Sequence, residues 1–549
     1  MENISQERLT DVAYHLLVNA ATRYPRNYFE KLLHCLDQEK ILGARRILIS
    51  IIENIISATE ESLPLCQDTG IPTFHVYLNP GVSIKGDLKA AFYEAVIRAT
   101  SDVPLRKNVL EPFSLCNSGN NTGWGTPFLY FHYDSIPGPL RIRAEMKGFG
   151  GEIKTTSDWI FTSTRDMEDA VLAYALNNVV LSRGESCMPG FLGIGVGGYA
   201  SEAAFNAKNA VFRGLSEKSS DTVNDSLSSI EDRILRCVNS LGIGPMGGGG
   251  TTTTMGVYLE RRGAHTASTP VAVSHQCWAS RGSEALVSEG GQEYITPHLR
   301  KEDTAVIREK VSSEESQCKT GRNVHFINTP IHIDDIRKLR VSDVVYLNGV
   351  ICTLRDRAHS RMVELIRDGN LGEIPQELLE NGVIFHSGPI AVAGSGGFRV
   401  FAAGPTTSSR FSDDAAFLLD HGIMKVVIGK GTMNSNVKNS LKNKGVFMTA
   451  VGGCSAKYQK MISQTDVKWL DLGYPEALWI FKVENFGPLI VEIDSSGNSL
   501  NESVIEHVYE NAREIYRQEG LDPHKRYIQY PQTFAGLSLE EIIEREKTG

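Results

Sequence analysis

Leu65-Cys66-Gln67-Asp68-Thr69-Gly70 stands where this chain changes its pattern. Before it, apolar residues recur at spacings of three and four: Ala13, Leu16, Leu17 and Ala20, then Leu32, Leu33 and Leu36, then Leu48, Ile51, Ile52, Ile55 and Ile56. That period predicts helices through the first 60 residues. After it, Thr73-Phe74-His75-Val76-Tyr77-Leu78 predicts a short strand and residues 87–100 a helix. Pro64 upstream and Gly70-Ile71-Pro72 downstream keep the segment itself out of a helix interior and set it in a tight turn. Cys66 and Asp68 alternate along that turn and can face one small site. A metal-ligating thiolate beside a carboxylate suits chemistry in which a metal polarises a substrate and an acid moves its proton.

Working outward, Gly-rich turns punctuate residues 117–300, and residues 300–325 are charged and poor in apolar groups. Beyond them strands alternate with helices. Val344-Val345-Tyr346-Leu347, Val426-Val427-Ile428, Val446-Phe447-Met448 and Leu489-Ile490-Val491-Glu492-Ile493 read as strands, residues 355–368 and 412–420 as helices. The fold class expected is α/β in two domains. A mixed α+β N-terminal domain covers residues 1–300, a linker 301–325, and an α/β C-terminal domain 326–549, with the active site at the domain interface.

The 549 residues are 41% hydrophobic and 22% charged, enough chain for a deep core and a buried site. A net charge of −9 argues against a broad nucleic-acid surface and leaves room for a local basic pocket that takes small anions. No run of about 18 apolar residues occurs, so no membrane span is expected. Met1-Glu2-Asn3-Ile4-Ser5-Gln6-Glu7 carries acids and no apolar core, unlike a signal peptide, and a cytoplasmic location follows as the default. Nine cysteines, an odd number, are too few for a disulfide scaffold and point to free thiols.

Three of those cysteines have distinctive surroundings. Cys66 sits in the turn above, Cys187 in Gly184-Glu185-Ser186-Cys187-Met188-Pro189-Gly190, and Cys277 in His275-Gln276-Cys277-Trp278. Their spacings match no compact ferredoxin-like run, so each is either a small buried hydrophobe or one of three ligands to a shared cluster. Cys116 and Cys454 border turns and stand in reserve. Gly193-Ile194-Gly195-Val196-Gly197-Gly198 fits Gly-x-Gly-x-x-Gly, read either as a dinucleotide loop, which needs an acid about 20 residues on, or as a turn for close backbone packing. Gly404-Pro405-Thr406-Thr407-Ser408-Ser409-Arg410 is either an anion site or simple helix capping. Leu354-Arg355-Asp356-Arg357-Ala358-His359 opens a helix, its charges either solvated or ligand-directed, and Gly429-Lys430-Gly431 ends a strand where open sheets place ligands. Arg106, Lys147-Gly148-Phe149-Gly150-Gly151 and His265 add cationic or donor groups in loop-like contexts.

Taken in order, these motifs resemble the iron–sulfur-dependent hydro-lyases, the class I fumarases and tartrate dehydratases, with the family's α and β parts fused in one chain from about residue 10 to 540. The resemblance implies a four-iron, four-sulfur (4Fe-4S) cluster on Cys66, Cys187 and Cys277. It implies a small dicarboxylate substrate met by Gln67, Arg106, Gly148, Gly150, His265 and Lys430. Asp68, Thr406, Arg355 and Arg410 form the catalytic set it implies, with Asp68 as an acid suited by a partly raised pKa near the anionic substrate and Thr406 as a base whose alkoxide Arg410 or Arg355 must stabilise. Phe149 departs from a loop that is often all glycine in relatives. Reversible hydration of fumarate to L-malate, a step of the tricarboxylic acid cycle, is the activity implied, in a homodimer without membrane or nucleic-acid partners. L-tartrate or mesaconate would use the same chemistry. An NAD-dependent dehydrogenase and a non-catalytic iron sensor are the readings from other classes.

Overall fold

The computed structural model describes residues 2–133, 138–161, 166–215, 225–394 and 397–548. The chain opens with three helices, Gln6–Thr22, Arg26–Gln38 and Leu42–Glu61, as the apolar period predicts. Ser5 caps the first, its hydroxyl accepting from the Arg8 N–H at 3.2 Å. The first half then forms two larger sheets, beside a parallel pair of Glu2–Ser5 with Val82–Lys85. One has five strands in the order Gly291–Tyr294, Gly282–Ser288, Leu140–Lys147, Ile71–Leu78 and Phe128–Tyr133. The other has four, in the order Thr156–Phe161, Ser268–Gln276, Gly190–Val196 and Thr254–Arg261.

In the second half, Val324–Asn328, Val344–Thr353, Val383–Phe385, Val426–Gly429 and Val446–Ala450 lie parallel, followed by antiparallel Leu478–Ile493 and Ile462–Lys468. The late strand begins at Leu478 rather than Leu489, and its length has a consequence. Leu478–Ile493 also pairs with Val344–Thr353, so the central strands close on themselves and both edges of that ring are satisfied.

The glycines at 193–198 serve close packing. Gly193 and Gly195 lie inside the Gly190–Val196 strand, and a methyl on either would collide with the carbonyl of Ala207 or Ala203 in helix Ala200–Ala210. The acid a dinucleotide loop would need, in residues 215–225, falls for the most part outside the described residues. Gly193→Ala is expected to destabilise the protein by about 1–3 kcal/mol by overpacking. An unchanged denaturant midpoint would reject that close approach.

Two stretches differ from expectation. Residues 301–325 contain an 18-residue helix, Lys301–Cys318, rather than an open linker. Its polarity reflects ion pairs to the first half, Arg26–Asp303 at 2.7 Å and Arg45–Glu314 at 2.5 Å, while Val311 points into the core. Residues 500–548, assigned from sequence to the C-terminal domain, return to the first half. Tyr516, Ile528, Leu539 and Ile543 pack with Leu172, Leu176 and Ile194, and Asn177 donates to the carbonyls of Ala535 and Leu537 at 3.1 and 2.9 Å. The halves also share a core, in which Ile51, Ile55, Leu65 and Trp278 meet Ile428, Met448, Val451 and Tyr458.

Candidate active site

Strand register brings the site together. Ile71 pairs with Lys147, so the turn before one strand (65–70) and the loop after the other (148–151) lie side by side. Phe191 pairs with Gln276, which sets the Cys187 turn against Cys277. Trp278 donates its backbone N–H to the Cys187 carbonyl at 3.1 Å and its indole N–H to the Gly452 carbonyl at 2.8 Å, reaching the second half. In that half, Arg355, His386, Lys430 and Gly452 follow the carboxyl ends of successive parallel strands, where sheets of this kind hold ligands.

Asp68 is the most heavily bonded of the predicted residues. Its Oδ1 accepts from Arg106 Nη2 at 3.2 Å, Asn108 Nδ2 at 3.4 Å and the Gly70 N–H at 3.3 Å, and its Oδ2 from the Phe149 N–H at 3.0 Å. Burial works to raise its pKa, but Arg106, Arg281 and these N–H groups outweigh burial and hold the carboxyl below its ordinary value. That direction is opposite to the partly raised pKa expected of Asp68 beside an anionic substrate. Phe149, the departure from a glycine loop, contributes through its backbone, and its ring is exposed.

Gln67 ties the halves together, its Nε2 donating to the Pro405 carbonyl at 3.0 Å, one residue from Thr406. The Thr406 N–H donates to the His386 carbonyl at 2.7 Å, and Ser408 Oγ, behind it, lies 2.9 Å from His386 Nδ1. A Cβ at Gly148 would stand 3.2 Å from Asp68 Oδ2, and one at Gly150 the same distance, 3.2 Å, from Lys430 Nζ. The loop thus runs between the carboxylate of one half and the ammonium of the other.

Lys430 Nζ donates to Cys187 Sγ at 3.1 Å. Burial acts to lower its pKa, and the Cys187, Cys66 and Cys277 thiols together outweigh burial and raise it. Arg410 grips Asp356 with Nε at 2.9 Å and Nη2 at 3.2 Å, while Arg355 faces Glu476 at 3.3 Å and Asp356 at 3.6 Å. Burial depresses the Arg355 pKa, helped by the charges of Arg106 and Arg410, so cations from both halves converge here. The stabilising guanidinium expected at the Thr406 hydroxyl is instead engaged by Asp356 and Glu476. His265 stays apart: it lies in an exposed turn and its Nδ1 accepts from the Ala267 N–H at 3.1 Å, with none of the contacts that join the others.

Cys66, Cys187 and Cys277 lie close enough for their charges to act on one another. Among the described residues no three His, Cys, Asp or Glu groups converge as one metal ion requires. Burial pushes the Cys66 thiol up and the Cys277 thiol up to about 12. A Cβ at Gly452 would lie 2.6 Å from Cys187 Sγ, so only glycine leaves that sulfur its space. Of the reserve cysteines, Cys454 donates to the Ser50 carbonyl at 3.5 Å and Cys116 is exposed.

Sequence reading missed Asn108, Asp356 and Glu476 as partners of the site's charges, and it missed Arg281. Asp356 lies in a quoted motif, but its link to Arg410 spans two strand–helix connections; the others carry no spacing signal.

Comparison with known proteins fits this geometry. Residues 10–286 match the family model of fumarate hydratase (Fumerase), and residues 294–504 that of the fumarase C-terminus. The chain is 32% identical over 512 residues to a Geobacillus stearothermophilus protein named "Putative fumarate hydratase class I", covering 91% of this chain and 96% of that one. It is 30% identical over 282 residues to the L(+)-tartrate dehydratase subunit alpha of Escherichia coli (strain K12), covering 51% of this chain and 91% of that subunit. The chain belongs to the class I fumarate hydratase/tartrate dehydratase family and is a hydro-lyase. The dehydrogenase and sensor readings give way to that class.

Proposed function

We propose that this protein is an iron–sulfur fumarate hydratase, converting fumarate and water reversibly to L-malate. The observation that carries the reading is the meeting of Cys66-Gln67-Asp68 and Cys187 with Pro405-Thr406 and Lys430 across the two halves. The relative named for fumarate hydratase matches both halves in one chain, which favours fumarate over tartrate. Held by Cys66, Cys187 and Cys277, a 4Fe-4S cluster would supply an iron with an open position, a Lewis acid toward the substrate hydroxyl.

The chain's own residues account for the remaining steps. Arg106, Arg355, Arg410 and Lys430 bind and orient the two carboxylates. Their charges face Asp68, Glu476, Asp356 and Cys187, partners that a bound dicarboxylate would have to replace. Gln67 and the side-chain-free Gly148 and Gly150 let the substrate approach closely. In hydration, Asp68 takes a proton from the attacking water and Thr406 Oγ1 delivers one to the neighbouring carbon; in dehydration both transfers reverse. An ionised Asp68 and a protonated threonine are the states from which hydration starts. A homodimer in the cytoplasm, serving the tricarboxylic acid cycle, is the setting this reading implies. No helix among the described residues is long and apolar enough to cross a membrane.

The test is anaerobic turnover of fumarate, L-malate, L-tartrate and mesaconate by iron-reconstituted protein, with iron and sulfide counted on the same sample. Fumarate hydration that needs the cluster and fades in air is expected. Turnover of tartrate or mesaconate alone would keep the residues and change the substrate.

A further inference from the structure

Glu492 is a buried acid next to the Lys430 loop that the proposed chemistry leaves unused. It is 3% exposed and lies near the end of the Leu478–Ile493 strand. Against the neighbouring strand, Ile493 pairs with Phe447 and Val491 with Met448, so Glu492 is the extra residue of a bulge. A bulge re-aims one side chain out of the regular ladder. With strand Val446–Ala450 lying between, this side chain reaches the loop after Val426–Gly429, the loop that carries Lys430. Glu492 Oε1 accepts from Thr432 Oγ1 at 3.2 Å, from Ser499 Oγ at 2.8 Å and from the Asn501 N–H at 3.2 Å. Its Oε2 has no hydrogen-bond partner among the described residues. One oxygen thus gathers the Lys430 loop and the start of helix Leu500–Gln518, whose later residues pack in the first half.

On its other side the Lys430 backbone is held by Ser408. The Lys430 N–H donates to Ser408 Oγ at 3.2 Å, and its carbonyl accepts from the Ser408 N–H at 3.0 Å. Gly431 takes a φ of +76°, a turn that glycine makes without strain, and a Cβ there would stand 3.7 Å from Glu185 in the Cys187 turn. The bond of Thr432 to Glu492 restrains the far side of that glycine, with Met433 buried behind it. We infer that Glu492 is a positioning residue that acts through Thr432 to hold the 430–432 turn and so aims the Lys430 ammonium at the substrate carboxylate. This rests on the reading of Lys430 as a substrate ligand. All three donors use one acceptor oxygen, which a glutamine also supplies.

Thr432→Val replaces the hydroxyl that reaches Glu492, Glu492→Ala removes the acceptor, Glu492→Gln keeps one, and Ser499→Ala breaks the bond to the helix alone. Each variant is reconstituted anaerobically, and KM and kcat for fumarate are read beside iron content and melting temperature. In Thr432→Val and Glu492→Ala, KM should rise about tenfold, the worth of one weakened bond to a charged group, with kcat changed less. Glu492→Gln should keep the wild-type KM. Ser499→Ala should lower the melting temperature and leave KM unmoved. In a Lys430→Met background, Thr432→Val should add nothing further to KM. Wild-type KM in a folded Thr432→Val, the same rise in Ser499→Ala, or a rise that persists in full without Lys430 overturns the inference. A Glu492→Gln variant that behaves as Glu492→Ala overturns it as well. Should Glu492→Ala fail to fold, Thr432→Val decides by the same outcomes. Wild-type protein with no hydro-lyase turnover refutes the reading of Lys430 itself, and this inference with it.

Discussion

Thr406→Ala is expected to lower turnover of fumarate and of L-malate by about 10²- to 10⁴-fold, the usual worth of a positioned proton-transfer group. The substitution removes one hydroxyl and leaves its setting. The Thr406 N–H stays bound to the His386 carbonyl, Pro405 still accepts from Gln67, and Thr407 keeps its bridge to Lys430. KM should therefore change little. A threonine hydroxyl is a poor acid and base in water, and it needs cations to hold the alkoxide. Asp356 occupies the fork of Arg410 and shares Arg355 with Glu476. If Thr406 carries the proton, a bound substrate must draw those guanidinium groups over before the alkoxide has support. Initial rates in both directions, with exchange of the carbon-bound proton into deuterated solvent, measure the effect. Near-normal rates and exchange would remove Thr406 from the proton path.

Cys66, Cys187 and Cys277 stand out in the sequence because each lies in a Gly- or Pro-framed turn or beside a Trp, and the fold brings them within reach of one another's charge. The sequence carried the parallel strands because runs such as Val426-Val427-Ile428 are apolar on both faces. It did not carry Arg281. An arginine between two strands reads as a solvated edge until the reciprocal bonds with Met146 turn it inward. It did not carry the return of residues 500–548, since an amphipathic helix shows that it has an apolar face but not which half will cover it. The polar run at 301–325 misled for a related reason: helix Lys301–Cys318 is held by ion pairs and few apolar contacts, and its composition matches that of a linker.

Asp68→Asn should cost a comparable factor, about 10²- to 10⁴-fold in turnover, and its structural side effect can be stated beforehand. The carboxylate accepts on both oxygens, from Arg106, Asn108 and Gly70 on one and from Phe149 on the other. An amide has a single acceptor oxygen, so its NH₂ must confront either the Phe149 N–H or the Arg106 guanidinium. One buried donor left unmatched costs about 1–3 kcal/mol, and the melting temperature should fall accordingly. Asn108→Ala separates the two effects. It removes a donor to the same carboxylate, the 2.9 Å bond to the Gly70 carbonyl and the 2.6 Å bond that Asn108 Oδ1 accepts from Arg106 Nε, so KM is read beside rate, and it leaves the proton-carrying oxygens in place. If Asp68 moves the proton, Asn108→Ala loses stability with only a modest loss of rate, whereas Asp68→Asn loses rate far beyond its loss of stability, with iron and sulfide content unchanged. Equal rate losses in the two variants would make Asp68 a structural anchor of the 148–151 loop, and wild-type turnover in Asp68→Asn with a full cluster would exclude it as the group that handles the proton of water.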